Sequence, residues 1–130
     1  MSDPISFMLT AIIVSFIINA AISLYGVFAK PSLIKKFIAL TIFSDSVNTF
    51  AIMLGFRRVP GGYPSIAVQP SVPKSPEDIA KFVNTAVDPV PQALVLTAVV
   101  IGLAVNMFLV GLILLFHKYY GTTDVRKARV

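Results

Sequence analysis

Cysteine is absent from this chain of 130 residues, and histidine occurs once, as His117. The lack of cysteine excludes disulfide bonds, thiolate metal sites, iron–sulfur clusters and cysteine nucleophiles. A lone His117 cannot form a metal centre, and the sequence offers no nucleophile–base pair and no phosphate-binding loop. We therefore expect no resident metal, no cofactor and no catalytic activity of this polypeptide by itself.

Charged residues are also scarce, at 13% of the chain, whereas hydrophobic residues make up 56%. One long uncharged run covers residues 92–116 and contains no ionisable side chain. As a helix with a rise of about 1.5 Å per residue it would be about 37 Å long, enough to cross a hydrocarbon core of roughly 30 Å. Residues 5–29 and 37–56 form two further apolar segments. The sequence thus predicts an all-α integral membrane protein with three transmembrane helices, built as a single membrane domain over residues 1–130.

The connection between the second and third spans, residues 57–91, contains seven of the nine prolines. Its first part, to residue 74, is typical of an irregular loop because proline and glycine mark turns there. Ser75 and Pro76, followed by two acids, then have the pattern of a helix start. Apolar residues follow at helical spacing, which predicts a short amphipathic helix over residues 76–87, lying on lipid or on a neighbouring subunit.

The net charge of +5 comes from basic residues that flank the spans, a pattern that does not indicate nucleic-acid binding. Lys and Arg near span ends favour the cytoplasmic side. The first connection and the C-terminal tail lie on one side of a three-span chain, and they hold more basic residues than the long loop. We expect a multi-pass cell membrane protein with its N-terminus outside and its C-terminus in the cytoplasm. The seven basic residues of the cytoplasmic side are Lys30, Lys35, Lys36, Lys118, Arg126, Lys127 and Arg129, against Arg57, Arg58, Lys74 and Lys81 outside.

Asp45 is the main candidate for chemistry, because it lies near the middle of the second span. An unpaired carboxylate at that depth costs a few kcal/mol or more, so it must be protonated, hydrogen-bonded or beside water. One interpretation is a proton or cation relay, in which Thr41, Ser44 and Asn48 hold water or act as ligands. The alternative is a protonated carboxyl group that locks helix packing through a hydrogen bond, since a single carboxylate forms an incomplete pathway.

Other polar residues in or near the spans favour helix packing and capping. Helices in lipid associate through close packing and hydrogen bonds, so such residues mark the faces that meet protein. Three helices have more of this surface than they can use among themselves. The chain is therefore expected to be one subunit of a larger membrane assembly. The packing and capping candidates are Asn19, Asp88, Gln92, Thr97 and Asn106.

The segment VDPVPQALVLTAVVIGLAVNMFLV, residues 87–110, closely resembles the last helix of the small C subunit of Mrp-type multisubunit sodium/proton antiporters, which is similar to the K subunit of complex I. The segment LYGVFAKPSLIKKFIALTIFSDSVNTFAIMLGF and the tail YYGTTDV resemble other parts of that family. The resemblance implies a three-helix subunit packed between larger antiporter-like subunits. It leaves residues 59–86 uncovered, where the proline-rich connection is longer than the family usually has.

The resemblance also bears on single residues. Complex I relatives carry glutamates tied to proton pumping in helices two and three, and Thr41 and Val105 stand at those positions here. Asp45 stands where the antiporter family more often has histidine or asparagine. Because Thr41 and Val105 replace the two glutamates, the role of those glutamates in proton pumping cannot be transferred to this chain.

Two functions follow from the resemblance. The chain is expected to serve an Mrp-type module that exchanges Na⁺ for H⁺, contributing to ion translocation and complex assembly. The alternative is the equivalent non-catalytic membrane subunit of a complex I-related respiratory complex, such as a membrane-bound hydrogenase. In a third, structural interpretation the polar residues serve packing alone and the chain is a scaffold.

Overall fold

A computed structural model describes residues 3–57, 64, 66 and 68–128. Four helices follow one another along the chain: α1 (Pro4–Ala29), α2 (Leu33–Leu54), α3 (Pro76–Thr85) and α4 (Val90–Tyr120). The described residues form no β-strand element. Helices α1, α2 and α4 are each long and apolar enough to cross a membrane, which confirms the predicted all-helical class with three spans. The expectations for Arg58, residues 60–62 and Arg129 fall outside the described residues, as does part of the loop 59–74.

Local sequence explains where the helices begin and end. Pro4 occupies the first turn of α1, and the Asp3 carboxylate accepts a hydrogen bond from the backbone N–H of Ile5 at 3.4 Å. Pro31 follows Lys30 and cannot continue α1, because it lacks an N–H group. Gly121 ends α4 in the left-handed conformation with φ 69°, and its N–H bonds the carbonyl of His117 at 2.8 Å.

Helix α2 begins at Leu33 rather than at residue 37, so its first turn includes Lys35 and Lys36. The Lys36 ammonium reaches back and donates a hydrogen bond to the backbone carbonyl of Val27. That carbonyl belongs to the last turn of α1, where carbonyl groups lack partners within the helix. The apolar stem of the lysine can therefore stay in the helix packing while its charged end bonds at the helix terminus.

Helices α1, α2 and α4 form a single layer with α2 in the middle. Helix α2 packs against both neighbours, whereas α1 and α4 are not packed against each other in the described part of the chain. Helices α1 and α2 lie close together at Gly26, beside Ala39, which is one of the few buried apolar residues among those described. Phe16 and Phe50 stack across the same interface with ring centroids 4.6 Å apart. A single layer buries few side chains. In the most apolar 18-residue stretch of each span, at most 6% of the residues are buried.

The C-terminal tail is tied to the connection between α1 and α2. Leu33 N–H bonds the Thr123 carbonyl at 2.9 Å, and Val125 N–H bonds the Pro31 carbonyl at 3.1 Å. These bonds flank an antiparallel bridge between Ser32 and Asp124. The two basic segments that the sequence assigned to one side therefore lie together, at what we call the basic end of the molecule.

The opposite end is held by contacts around Gly55 and by the capped helix α3. The Asp88 N–H bonds the Gly55 carbonyl at 3.1 Å, joining the end of α2 to the start of α4. The Ser75 hydroxyl accepts from the Asp78 N–H, and the Asp78 carboxylate accepts from the Lys74 N–H at 3.0 Å, a reciprocal cap that starts α3. Helix α3 ends at Thr85, before the predicted residue 87, and its Ile79 and Val83 remain 49% and 58% exposed.

Substitution of Gly26 by alanine is expected to weaken the α1–α2 contact. A Cβ atom at Gly26 would lie 2.8 Å from the Cβ of Ala39, too close for two carbon atoms. Overpacking of this kind costs typically ~1–3 kcal/mol of unfolding free energy. Unfolding of the full chain in mixed micelles, followed by circular dichroism, measures the loss. The control is Gly102→Ala, because a Cβ there meets no atom within 4 Å. Equal stability of the two variants would contradict the close helix crossing.

Candidate functional site

Most hydroxyl groups inside the spans are satisfied by their own helix. Each donates a hydrogen bond to the backbone carbonyl four residues earlier, over distances of 2.5–3.3 Å. This bond removes most of the cost of placing a hydroxyl group in hydrocarbon. Such residues therefore do not by themselves require a partner subunit. They are Thr10, Ser23, Thr41, Ser46, Thr49 and Thr97.

Carboxylate and amide groups are in a different position, because an ionised carboxylate has no donor for a carbonyl group and an amide group has both donors and an acceptor to satisfy. Among the described residues, the side chains of Asp45, Asn48, Gln92 and Asn106 make no hydrogen bond or ion pair. Asn19 is the exception, because its amide donates to the Ser15 hydroxyl at 3.3 Å. The side chains that still need a polar partner are thus a few residues of α2 and α4.

Asp45 lies in a polar groove between α1 and α2, which we call the α1–α2 groove. Its volume is about 490 Å³, and its apolar walls include Ile12 and Ile42. Asp45 is exposed in this groove. It follows Leu33 by twelve positions, or about 18 Å along a helix about 33 Å long, and therefore lies near the middle of the span. The polar residues of the groove are Ser15, Asn19, Asp45, Ser46 and Thr49.

The residues predicted to act with Asp45 are placed differently. Thr41 and Asn48 are half-buried and Ser44 is exposed, and none of the three lines the α1–α2 groove. At about 100° per residue, Thr41 is about 40° and Asn48 about 60° from Asp45 around the axis of α2. They stand beside Asp45 on one side of the layer, towards α4. The groove instead adds Ser15, whose four-residue spacing from Asn19 marks a shared helix face in the sequence.

Asn106 faces α2. The least exposed positions of α4 include Val95, Gly102 and Asn106, spaced so that they form one stripe. Pro91 of α4 lies beside Gly55 at the end of α2, so this contact gives a common reference depth. Asn106 follows Pro91 by fifteen residues, and Thr41 precedes Gly55 by fourteen. Both are thus about 21–22 Å from that contact, at the same membrane depth. Thr97 lies on the opposite side of α4 and is exposed.

Asp88 and Gln92 lie where α4 begins. The Asp88 carboxylate accepts a hydrogen bond from the Val90 N–H at 3.0 Å, so it caps the first turn of α4. Gln92 lines a groove of about 290 Å³ together with Thr49 and residues from the first half of α1. That groove and the α1–α2 groove share Ile12 and Thr49, and both therefore open on the same side of the layer.

The layer has two unlike sides. The polar face carries the α1–α2 groove, Thr41, Asn48 and Gln92. The opposite side of α2, which we call the apolar face, carries Leu40, Val47 and Leu54, all at least 40% exposed. These three lie about 140–180° around the axis from Asp45. Among the described residues, the unpaired side chains of Asp45, Asn48 and Gln92 all lie on the polar face, where hydrocarbon could not satisfy them. In the described residues no cluster of histidine and acidic side chains is suited to a metal ion.

Comparisons with known proteins agree with this architecture. The C1 subunit of the Na(+)/H(+) antiporter of Staphylococcus aureus is 32% identical over 112 residues, which cover 86% of this chain and 86% of the relative. An uncharacterised protein of Methanocaldococcus jannaschii is 31% identical over 103 residues, covering 78% of this chain and 72% of the relative. A solved structure of the membrane-bound sulfane sulfur reductase, an archaeal respiratory membrane complex, contains a chain that superposes with a TM-score of 0.72 at 33% identity. The match covers 92% of this chain and 97% of that one.

The matching family model extends over residues 7–130, and thus includes all three spans and the tail that pairs with the first connection. This extent agrees with the three-helix subunit that the resemblance in the sequence implied. The chain belongs to the NADH-ubiquinone/plastoquinone oxidoreductase chain 4L family, as a small subunit of membrane complexes.

Proposed function

We propose that this chain is the small membrane subunit of an Mrp-type antiporter module that exchanges Na⁺ for H⁺. The observation that carries the proposal is the Asp45 carboxylate, which is exposed at mid-span without a partner among the described residues. The antiporter C1 protein of Staphylococcus aureus is a relative over most of both chains. The polar face would form one wall of a hydrated path whose other wall belongs to a larger subunit.

Asp45 would take part in translocation by exchanging a proton or cation with water in the α1–α2 groove. A groove of about 490 Å³ with hydroxyl and amide groups can hold hydrogen-bonded water, which an apolar groove of similar size would not. Ser15, Asn19 and Thr49 would order that water beside the carboxylate. Thr41 and Asn48 stand beside Asp45 and would extend the polar surface towards α4, and Ser44, about 100° from Asp45, would add a hydroxyl group farther around the helix.

Replacement of Asp45 by asparagine is the first test. Asparagine keeps the size and polarity of the side chain but cannot carry a proton or a negative charge. Na⁺-dependent proton flux in vesicles that contain the native complex is expected to fall to the level of vesicles without it. Asp45→Glu keeps the titratable group and should retain part of the flux.

Asp88→Asn is the matched control for that substitution. The introduced amide keeps an oxygen that can accept from the Val90 N–H, so the cap of α4 survives and the flux should be unchanged. The amount of assembled complex is measured in parallel. Undiminished flux in the Asp45→Asn complex would remove Asp45 from the ion path and favour a purely structural scaffold.

The basic end is proposed to face the cytoplasm, with the N-terminus outside. Six described basic residues lie at that end beside one acid, Asp124, whose carboxylate already accepts the Arg126 N–H at 2.8 Å. This asymmetry follows the positive-inside rule for short loops. The six are Lys30, Lys35, Lys36, Lys118, Arg126 and Lys127.

A protease-cleavable tag after residue 130 tests this orientation. In intact cells the tag should be protected from added protease, whereas a tag before residue 1 should be removed. Permeabilised cells, in which both tags are cleaved, provide the control. Cleavage of the C-terminal tag in intact cells would reverse the assignment.

A second candidate function is the equivalent subunit of a redox-driven respiratory complex. It is favoured by the superposition on a chain of the membrane-bound sulfane sulfur reductase at 33% identity, close to the 32% for the antiporter relative. Because the two relatives are equally similar, the polar face alone does not separate the two modules.

The companions of the native complex decide between the modules. Mild solubilisation and affinity purification through this chain should recover only antiporter-type membrane subunits if the leading proposal holds. Co-purification of iron–sulfur or other redox subunits would instead support the respiratory complex. Recovery of the chain alone, with no other membrane subunit, would contradict both proposals.

Helix α3 and the proline-rich loop before it would serve assembly. The exposed Ile79 and Val83 give α3 an apolar surface without a cover in the described part of this chain, and the Arg57 guanidinium ties the helix to α2 by donating to the Val83 carbonyl. A helix attached in this way at the end of α2 would pack its apolar side against a neighbouring subunit at the membrane surface.

A further inference from the structure

A further groove lies at the basic end, and we call it the basic-end groove. Its volume is about 510 Å³, and it is formed by the end of α1, the first half of α2 and the last part of α4. Every residue that lines it is apolar or aromatic except Lys36. Leu40 of this groove belongs to the apolar face, so the groove opens away from Asp45 and the polar face.

The groove has the length of one membrane leaflet. On α4 its lining runs from Leu109 to Tyr119, ten residues or about 15 Å along the axis. Half of a hydrocarbon core of roughly 30 Å is also about 15 Å. Tyr119 is 83% exposed at the outer end of the groove, as expected for an aromatic residue at headgroup level. The groove therefore starts at the membrane surface and ends near the midplane.

Lys36 is placed at the level of the headgroups. Its ammonium donates to the Val27 carbonyl, and an ammonium group has three donors, so two remain for another acceptor. The surrounding charges are mostly positive, with Lys30, Lys35 and Lys118 at the same end as the one described acid, Asp124. Basic pockets between transmembrane helices are a recurring environment for anionic lipid headgroups.

We propose that the basic-end groove is a binding site for an anionic phospholipid. One acyl chain would lie along the apolar lining between Leu40 and Leu112, and the phosphate would accept hydrogen bonds from Lys36. A partner helix fits the groove less well, because a helix continues across the membrane while the groove ends near the midplane. In its described lining the groove also has no polar side chain between Leu40 and Leu112 for a neighbouring subunit to bond.

Retention of lipid by the purified native complex tests the proposal. The complex is reconstituted in nanodiscs of phosphatidylglycerol or of phosphatidylcholine, extracted with mild detergent and analysed by native mass spectrometry. Phosphatidylglycerol should stay bound to the subunit and phosphatidylcholine should not. Removal of one basic contact by Lys36→Gln should lower retention about fivefold, and Lys36→Arg should restore it. Leu112→Trp, which fills the groove without changing charge, should also release the lipid.

Two matched variants separate a specific site from general attraction. Lys35→Gln removes a charge at the same end from a residue that does not line the groove, and should leave retention unchanged. Leu94→Trp adds the same indole ring to an exposed leucine outside the groove and should also have no effect. Equal retention of both lipids, or equal losses in Lys36→Gln and Lys35→Gln, would overturn the proposal. So would a photo-crosslink from position 112 to a neighbouring polypeptide in place of lipid.

Discussion

Hydrocarbon offers neither donors nor acceptors, so every polar side chain in a span must find its partner in protein or in trapped water. Serine and threonine solve this problem locally, as Ser46 and Thr49 do by bonding carbonyl groups of their own helix. The side chains of Asp45, Asn48, Gln92 and Asn106 make no such bond among the described residues. The positions of Asp45 and Gln92, which are exposed without a partner among the described residues, therefore indicate which side of the layer needs a neighbour.

The single-layer arrangement follows from the same constraint. A compact bundle would turn the polar face inwards, but α2 has α1 on one side and α4 on the other, which leaves both broad sides open. One side presents Asp45, and the other presents Leu40 and Val47. A subunit with two unlike sides can stand at the boundary of a larger assembly, with protein and water on the polar face and lipid on the apolar face.

The sequence predicted the parts of this fold that have a strong local signal. Three long apolar runs indicated the spans, and the Ser75–Pro76 start indicated α3, because these patterns depend on residues close in the chain. The pairing of Ser32 with Asp124 was not predicted, since a two-residue bridge has no periodicity to detect. Similarly, the sequence grouped Asp45 with Thr41 and Asn48. Which neighbour each residue faces depends on where α1 and α4 dock around α2, and no single helix encodes that docking.

The spacing of polar residues around α2 has a consequence for how a path could cross this subunit. Thr41 lies one helical turn from Asp45 towards the basic end, about 6 Å along the axis of α2 and about 40° around it. Asn106 of α4 is at the depth of Thr41, and the α1–α2 groove is at the depth of Asp45. Asn106, Thr41 and Asp45 thus form a series of polar groups that runs across the exposed surface of α2, from its contact with α4 to the α1–α2 groove. A partner subunit that covers this surface would enclose all of these polar groups. A continuous polar path would therefore form only in the assembled complex.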